Sequence, residues 1–329
     1  MLKQMQFSRL ALERQQVWIY LVAIIAGLVF GSFQFELATL FEALLWPALG
    51  LLLYATFAQV PLLHLNDAFL DHRFIKAVLI GNFILIPLLV WGLVQFLPDH
   101  PALRLGVLLV LLLPCTDWFI TFSQLGGGNV PRAISITPIN LLLQLLLLPV
   151  YLWLMVGTEL SAVLKLTDIW PVIALVLTPL LLAAVSESWI EARPKRSLWR
   201  DRLAWLPVPL LALVVFLIAN TQVNVVIGAL AFMPVVVPIF VIFLLLAALI
   251  AWILARWLRL PTDQGRTLAF SLGTRNSFIV LPFALALPVG WEVVAVIIVV
   301  QSLVELFGMV FYLWWIPGRL FSAEDSSHH

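Results

Sequence analysis

Val107-Leu108-Leu109-Val110-Leu111-Leu112-Leu113-Pro114-Cys115-Thr116-Asp117-Trp118-Phe119-Ile120 decides how this chain is read. Seven aliphatic residues run into a proline, a thiol, a hydroxyl and a carboxylate, and apolar character then resumes. A proline inside a helix removes one donor and frees a carbonyl a turn earlier. At membrane depth such groups must be paired or must line a cavity. The stretch therefore predicts a broken transmembrane helix. Gly273-Thr274-Arg275-Asn276-Ser277 interrupts a later apolar run in the same way. No other apolar runs contain stretches as polar as these two.

The rest of the chain supplies the membrane setting. Of its 329 residues 63% are hydrophobic and 11% charged, with mean hydropathy +1.10. Soluble domains sit nearer half apolar and a quarter charged, so a water-soluble enzyme is excluded. Apolar runs of bilayer-crossing length recur throughout. They predict an all-α polytopic membrane protein with ten spans at 17–35, 40–62, 75–97, 102–125, 130–155, 169–186, 203–220, 232–256, 267–288 and 291–316. Of the 18 Lys and Arg residues, all but Arg104, Lys165 and the intramembrane Arg275 fall on one side of this map. The positive-inside rule puts that side, and both termini, in the cytoplasm. The lone Cys115 excludes a disulfide framework and any multi-cysteine metal site, and the five histidines offer no zinc spacing. No cofactor is expected.

The chain also repeats itself. Asn140 and Gln144, followed by Tyr151-Leu152-Trp153, are matched half a chain later by Gln301 and Glu305, followed in the same register by Tyr312-Leu313-Trp314. A unit of five spans inverts its successor, and inverted repeats mark secondary transporters with a site near the midplane. The expected division is 1–160 and 161–321, with 322–329 a disordered tail or tag remnant ending in His328 and His329. The two breaks, in spans 4 and 9, hold counterpart places and should cross. Crossing would bring Asp117 and Arg275 together as a charge pair, serving as a structural lock or as a gate.

At this point the residues resemble a family. Asn82-x4-Pro87, Leu97-Pro98-Asp99, Arg104, Gly106 and Cys115, then Gly128-Asn129, Asn140, Gln144, Asn276 and Glu305, resemble the arsenical-resistance (arsenite efflux) branch of the bile acid/sodium symporter superfamily. The resemblance implies ten spans, a panel and a core, crossed discontinuous helices 4 and 9, and alternating access. It also implies that Cys115 and Glu305 are central to arsenite export in exchange for protons. Departures accompany it. Positions that in sodium-coupled members supply sodium ligands are Phe119, Ile120, Ser271 and Arg275 here. A fixed guanidinium repels sodium, so sodium coupling is expected to be lost, with Arg275 taking the ion's place. Pro114 stands where the arsenite exporters carry a basic residue before the cysteine, and Phe278 and Ile279 stand where they carry an acidic one.

The chemistry of the residues fits that expectation. Trivalent arsenic is thiophilic, and one sulfur gives the reversible contact a carrier needs. The hydroxyls of uncharged arsenite call for donors and acceptors, with Thr116, Ser123, Asn140, Gln144 and Asn276 as candidates. Glu305 has no basic neighbour in its span and is the candidate proton carrier, with Asp117 as its rival. A second reading makes the chain a carrier of small organic anions anchored by Arg275. The basic loop from Arg193 to Arg202 reads as a topology determinant and a contact for anionic membrane lipids, not a nucleic-acid site. Gly126-Gly127-Gly128 lacks the Lys-Ser/Thr of a phosphate loop, so neither ATP binding nor an ATPase subunit is called for. No nucleophile–base constellation supports an intramembrane enzyme.

Overall fold

The computed structural model describes residues 2–33, 38–62, 71–156, 166–193 and 196–322. Lys165, the proposed boundary at 160/161 and most of the proposed tail (323–329) lie outside the described residues. Regular structure among the described residues is helical, and the one β-type pairing is an isolated bridge. Among the described residues, eight helices are long and apolar enough to cross a membrane.

The helices form two compact units, each built from segments of both halves of the chain. The first comprises 1–59 and 167–231 and contains α1 (Leu2–Phe33), α2 (Ala38–Phe57), α8 (Leu166–Glu191), α9 (Ser197–Leu203), α10 (Pro207–Thr221) and α11 (Val223–Ala229). Here α1 packs along α10, with Gly27 and Gly31 set against backbone atoms of Phe216 and Asn220. Small residues at a helix contact give this closeness, which drives association where lipid removes the hydrophobic incentive. A cavity of about 720 Å³ lies between α2 and α8, with Tyr54 Oη and Ser186 Oγ 2.8 Å apart on its wall. None of the residues singled out by the sequence lines it.

The second unit comprises 60–166 and 232–329. It holds α3 (His72–Ile80), α4 (Ile86–Val94), α5 (Pro101–Leu112), α6 (Trp118–Leu125) and α7 (Val130–Val156). Its later helices are α12 (Met233–Trp257), α13 (Thr262–Gly273), α14 (Ser277–Leu285) and α15 (Val293–Trp315). Between α3 and α4 the chain widens into one π turn, Gly81–Leu85. Such turns release a carbonyl from the ladder, and the Tyr151 hydroxyl donates to the Phe83 carbonyl at 2.7 Å. The Tyr312 hydroxyl donates to the Leu244 carbonyl, across the same separation along the chain. Both bonds belong to the tyrosines of the repeated Tyr-Leu-Trp sequence.

Both breaks are present where the sequence places them. The first parts α5 from α6 over Leu113–Asp117, and the second parts α13 from α14 over Thr274–Asn276. They run antiparallel to each other at a bridge between Pro114 and Arg275. Cys115 N–H donates to the Thr274 carbonyl at 3.1 Å, and Asn276 N–H to the Leu113 carbonyl at 2.9 Å. The register shift that carries Asn140 onto Gln301 exchanges these two bonds and also carries 101–112 onto 262–273. On the basic-rich side, Asp71 caps α3 by accepting from Phe74 N–H at 3.2 Å and also takes the Gln264 amide at 2.7 Å. Arg132 lies 3.5 Å from the same carboxylate, and Asn129 donates to Asp263 at 2.6 Å. Gly127, at φ +67°, makes the turn between α6 and α7. That backbone conformation favours glycine.

Candidate functional site

The site grows from the two breaks. Because they pair with each other, residues 113–116 and 274–277 share one buried place, with the last carbonyls of α5 and α13 beside it. Thr116, Cys115, Thr274, Arg275, Asn276 and Ser277 are all buried. Asn276 caps α14 by accepting from Ile279 N–H at 3.3 Å, and its amide donates to Thr116 Oγ1 at 3.1 Å. Two of the predicted contact residues are thereby joined across the breaks, one residue away from the Cys115 thiol.

Arg275 is fully buried. Its Nη2 donates to the carbonyls of Ser271 at 3.0 Å and Leu272 at 2.6 Å, and to Asn82 Oδ1 at 2.9 Å. Nη1 reaches the Leu111 carbonyl at 3.4 Å, and the guanidinium carbon lies 5.5 Å from the centre of the Phe243 ring. The carbonyls belong to the last turns of α5 and α13. Helix C-termini carry unpaired carbonyls and partial negative charge, so a cation is favoured there. The guanidinium thus turns back onto the helix ends and an amide, and not onto the Asp117 carboxylate expected as its partner. Asp117 sits at the N-terminal end of α6. Asn82, the first residue of the Asn82-x4-Pro87 motif, thereby joins the residues of the breaks. The π turn carries it, and Gly81 lets α3 come so close to α13 that a Cβ there would lie 2.6 Å from Leu272. Its amide also donates to Ser271 Oγ at 3.1 Å. A lone amide in an apolar span was the available signal.

Glu305 lies on α15 and is buried. Its Oε2 accepts the Arg275 backbone N–H at 2.8 Å and the Gln301 amide at 2.7 Å. Ser302 Oγ donates to Ser277 Oγ at 2.7 Å, and Ser277 Oγ reaches Gln301 Oε1 at 3.4 Å. Gln301, Ser277 and Ser302 were missed as site residues, although Gln301 was quoted in the repeat. In contrast, both amide atoms of Asn140, both of Gln144 and the Ser123 hydroxyl are buried without a hydrogen-bond partner, as are Glu305 Oε1 and Arg275 Nε. Unpaired buried polar atoms are uncommon in folded proteins. No cluster of three or more His, Cys, Asp or Glu side chains suited to a metal occurs among the described residues.

Broken helices that bring polar groups together at membrane depth are the arrangement from which many secondary transporters build their sites. The model of the sodium bile acid symporter family matches residues 46–251, more than half of the chain, and the chain belongs to that family. Membership fits a multi-pass membrane protein, as the apolar helices do. The chain is also 28% identical over 184 residues to the uncharacterized protein PA2026 of Pseudomonas aeruginosa. That match covers 54% of this chain and 55% of the relative, so the chain spans about half the length of the curated relative.

Proposed function

We propose that the chain is a secondary carrier of the arsenical-resistance branch, exporting arsenite from the cytoplasm in exchange for protons and without sodium. In this reading it has ten spans in two inverted five-helix repeats, 1–160 and 161–321, followed by a tail at 322–329. It sits in a bacterial cytoplasmic membrane with both termini cytoplasmic. The single register shift that relates the break bonds and the tyrosine bonds supports the repeats. α5–α6 and α13–α14 serve as the two further spans, discontinuous ones.

The observation that carries the substrate reading is the buried Cys115 thiol at the crossing, next in sequence to Thr116, which accepts the Asn276 amide across the breaks. Attack of the thiol on the trihydroxide forms one As–S bond and breaks one As–O bond, and the thiol proton leaves with the hydroxide as water. A single sulfur keeps that exchange reversible. Thr116, Ser123, Asn140, Gln144 and Asn276 serve the remaining hydroxyls. Glu305 takes and releases the exchanged proton through the unpaired Oε1. The guanidinium of Arg275, held by Asn82 and three carbonyls, supplies a tethered positive charge where a mobile cation would otherwise be held. The same commitment weakens the organic-anion reading, because a carboxylate would have to displace those acceptors.

The test is arsenite uptake into everted vesicles under an imposed proton gradient, comparing wild type with Cys115→Ser and Glu305→Gln. Gradient-driven uptake lost in both variants is the expected result. Absence of arsenite flux in wild-type vesicles that hold folded protein would overturn the substrate, and carboxylate uptake dependent on Arg275 would replace it.

A further inference from the structure

Asn140 and Gln144 present four unpaired amide atoms one turn apart on α7, at 0% and 1% exposure. Their counterparts in the second half, Gln301 and Glu305, are paired at every amide and carboxylate atom but Glu305 Oε1, and the difference has a local cause. Glu305 accepts from the backbone N–H of Arg275, and the counterpart of Arg275 in the first half is Pro114, which has no N–H to give. Gln301 also donates to Glu305, whereas Asn140 is one methylene shorter and makes no such bond. Ser277 reaches Gln301. Its counterpart Thr116 instead holds the Asn276 amide. Each contact that satisfies the second pair is thus removed from the first by an identifiable residue.

We infer that Pro114 keeps the Asn140 and Gln144 amides unpaired so that they take an uncharged, hydroxyl-bearing solute beside Cys115. The inference rests on the proposed carrier function and names the chemistry of its site. Two amides side by side offer N–H donors and carbonyl acceptors together. A simple carboxylate has no donors for the two carbonyls, and a metal or ammonium cation has no acceptors for the two NH₂ groups. A hydroxyl both donates and accepts, so a small neutral polyol or trihydroxide satisfies all four atoms. Ser123 Oγ, on the neighbouring α6, is a fifth unpaired buried atom in the same half. Specificity for a neutral solute then comes from the amides, and Cys115 selects among neutral solutes those that bind sulfur.

The experiment follows the thermal unfolding midpoint of the purified full chain with two probes. Boric acid is an uncharged trihydroxide that does not bind thiols, and arsenious acid does bind them. Boric acid should raise the midpoint of wild type and Cys115→Ser by a few degrees, growing with the logarithm of its concentration. It should leave Gln144→Leu and Asn140→Leu unmoved. In Pro114→Ala both amides remain but an N–H returns, so the shift should fall several-fold. No boric acid shift in wild type, or an equal shift in Gln144→Leu, overturns the inference. If arsenious acid stabilises wild type through Cys115 while boric acid does nothing, the arsenite reading stands and this inference fails. If boric acid acts through Gln144 while arsenious acid is indifferent to Cys115→Ser, the inference stands and arsenite is the wrong solute.

Discussion

The backbone N–H of Arg275 donates to Oε2 of Glu305 at 2.8 Å. The acid of the last membrane helix is thereby tied to the peptide backbone of the second break, while the guanidinium of the same residue is spent elsewhere. A change of protonation at Glu305 thus acts on the break itself. A glutamine at 305 keeps a carbonyl oxygen for that N–H but cannot exchange a proton. Glu305→Gln should leave thermal stability within about 1 kcal/mol of wild type and abolish the response of arsenite uptake to a proton gradient. Gradient-driven uptake in this variant would assign the proton to another group, with Asp117 first in line.

Arg275 holds four acceptor oxygens on three helical segments. Removing the guanidinium leaves buried carbonyls unsatisfied, at about 1–3 kcal/mol each. Arg275→Gln should lower the unfolding midpoint by several degrees, and sodium should restore part of the loss where choline does not, since oxygen atoms suit a hard cation. Wild type should be indifferent to the choice of cation. Equal midpoints of the variant in sodium and choline would show that these oxygens do not form a cation cradle once the guanidinium is gone.

The unpaired amides of α7 should cost stability in the absence of solute. Gln144→Leu replaces a buried, unsatisfied amide by an apolar group of similar volume, and about 1–3 kcal/mol of desolvation penalty is relieved. The variant should unfold at a higher temperature than wild type and yet transport less. An unfolding midpoint below that of wild type would mean that the amide has a partner.

Asp71 gives a pH prediction outside the membrane spans. Burial raises its pKa, but the Phe74 N–H, the Gln264 amide and Arg132 outweigh that and hold the carboxyl below its usual 3.8. A carboxyl with a depressed folded-state pKa stabilises the fold above its unfolded value and loses that contribution as pH falls through the folded one. The stability difference between wild type and Asp71→Asn should be constant from about pH 5 to about pH 8. It should shrink in acid below 3.8. A difference that grew in acid would contradict the assigned sign.

The second break shows how far the sequence can be read. Gly273 and Arg275 inside an apolar run announce a helix interruption, because membrane depth allows no other reading of unpaired backbone. Its counterpart at Pro114 follows from the same rule and from the spacing of the repeat. The partner of Arg275 was a different matter. Asp117 is the nearest opposite charge in the counterpart break, and charge complementarity pointed to it. The guanidinium instead found carbonyls and Asn82, because the C-terminal ends of α5 and α13 lie beside it and a π turn brings Asn82 within reach.

Sequence by itself determined that the chain crosses the membrane repeatedly and that helices break around Pro114 and around Arg275. Those conclusions follow from the free energy of placing side chains and unpaired backbone in lipid, which is a local property. Tertiary structure alone decided who pairs with whom. Gln301 and Glu305, paired except at Glu305 Oε1, and the unpaired Asn140 and Gln144 occupy the same register in the sequence. Only the approach of the breaks shows that the Arg275 N–H reaches Glu305, and so gives the lack of an N–H at Pro114 its consequence. Hydrogen bonds depend on small differences in atomic position, and spacing along the chain does not encode those.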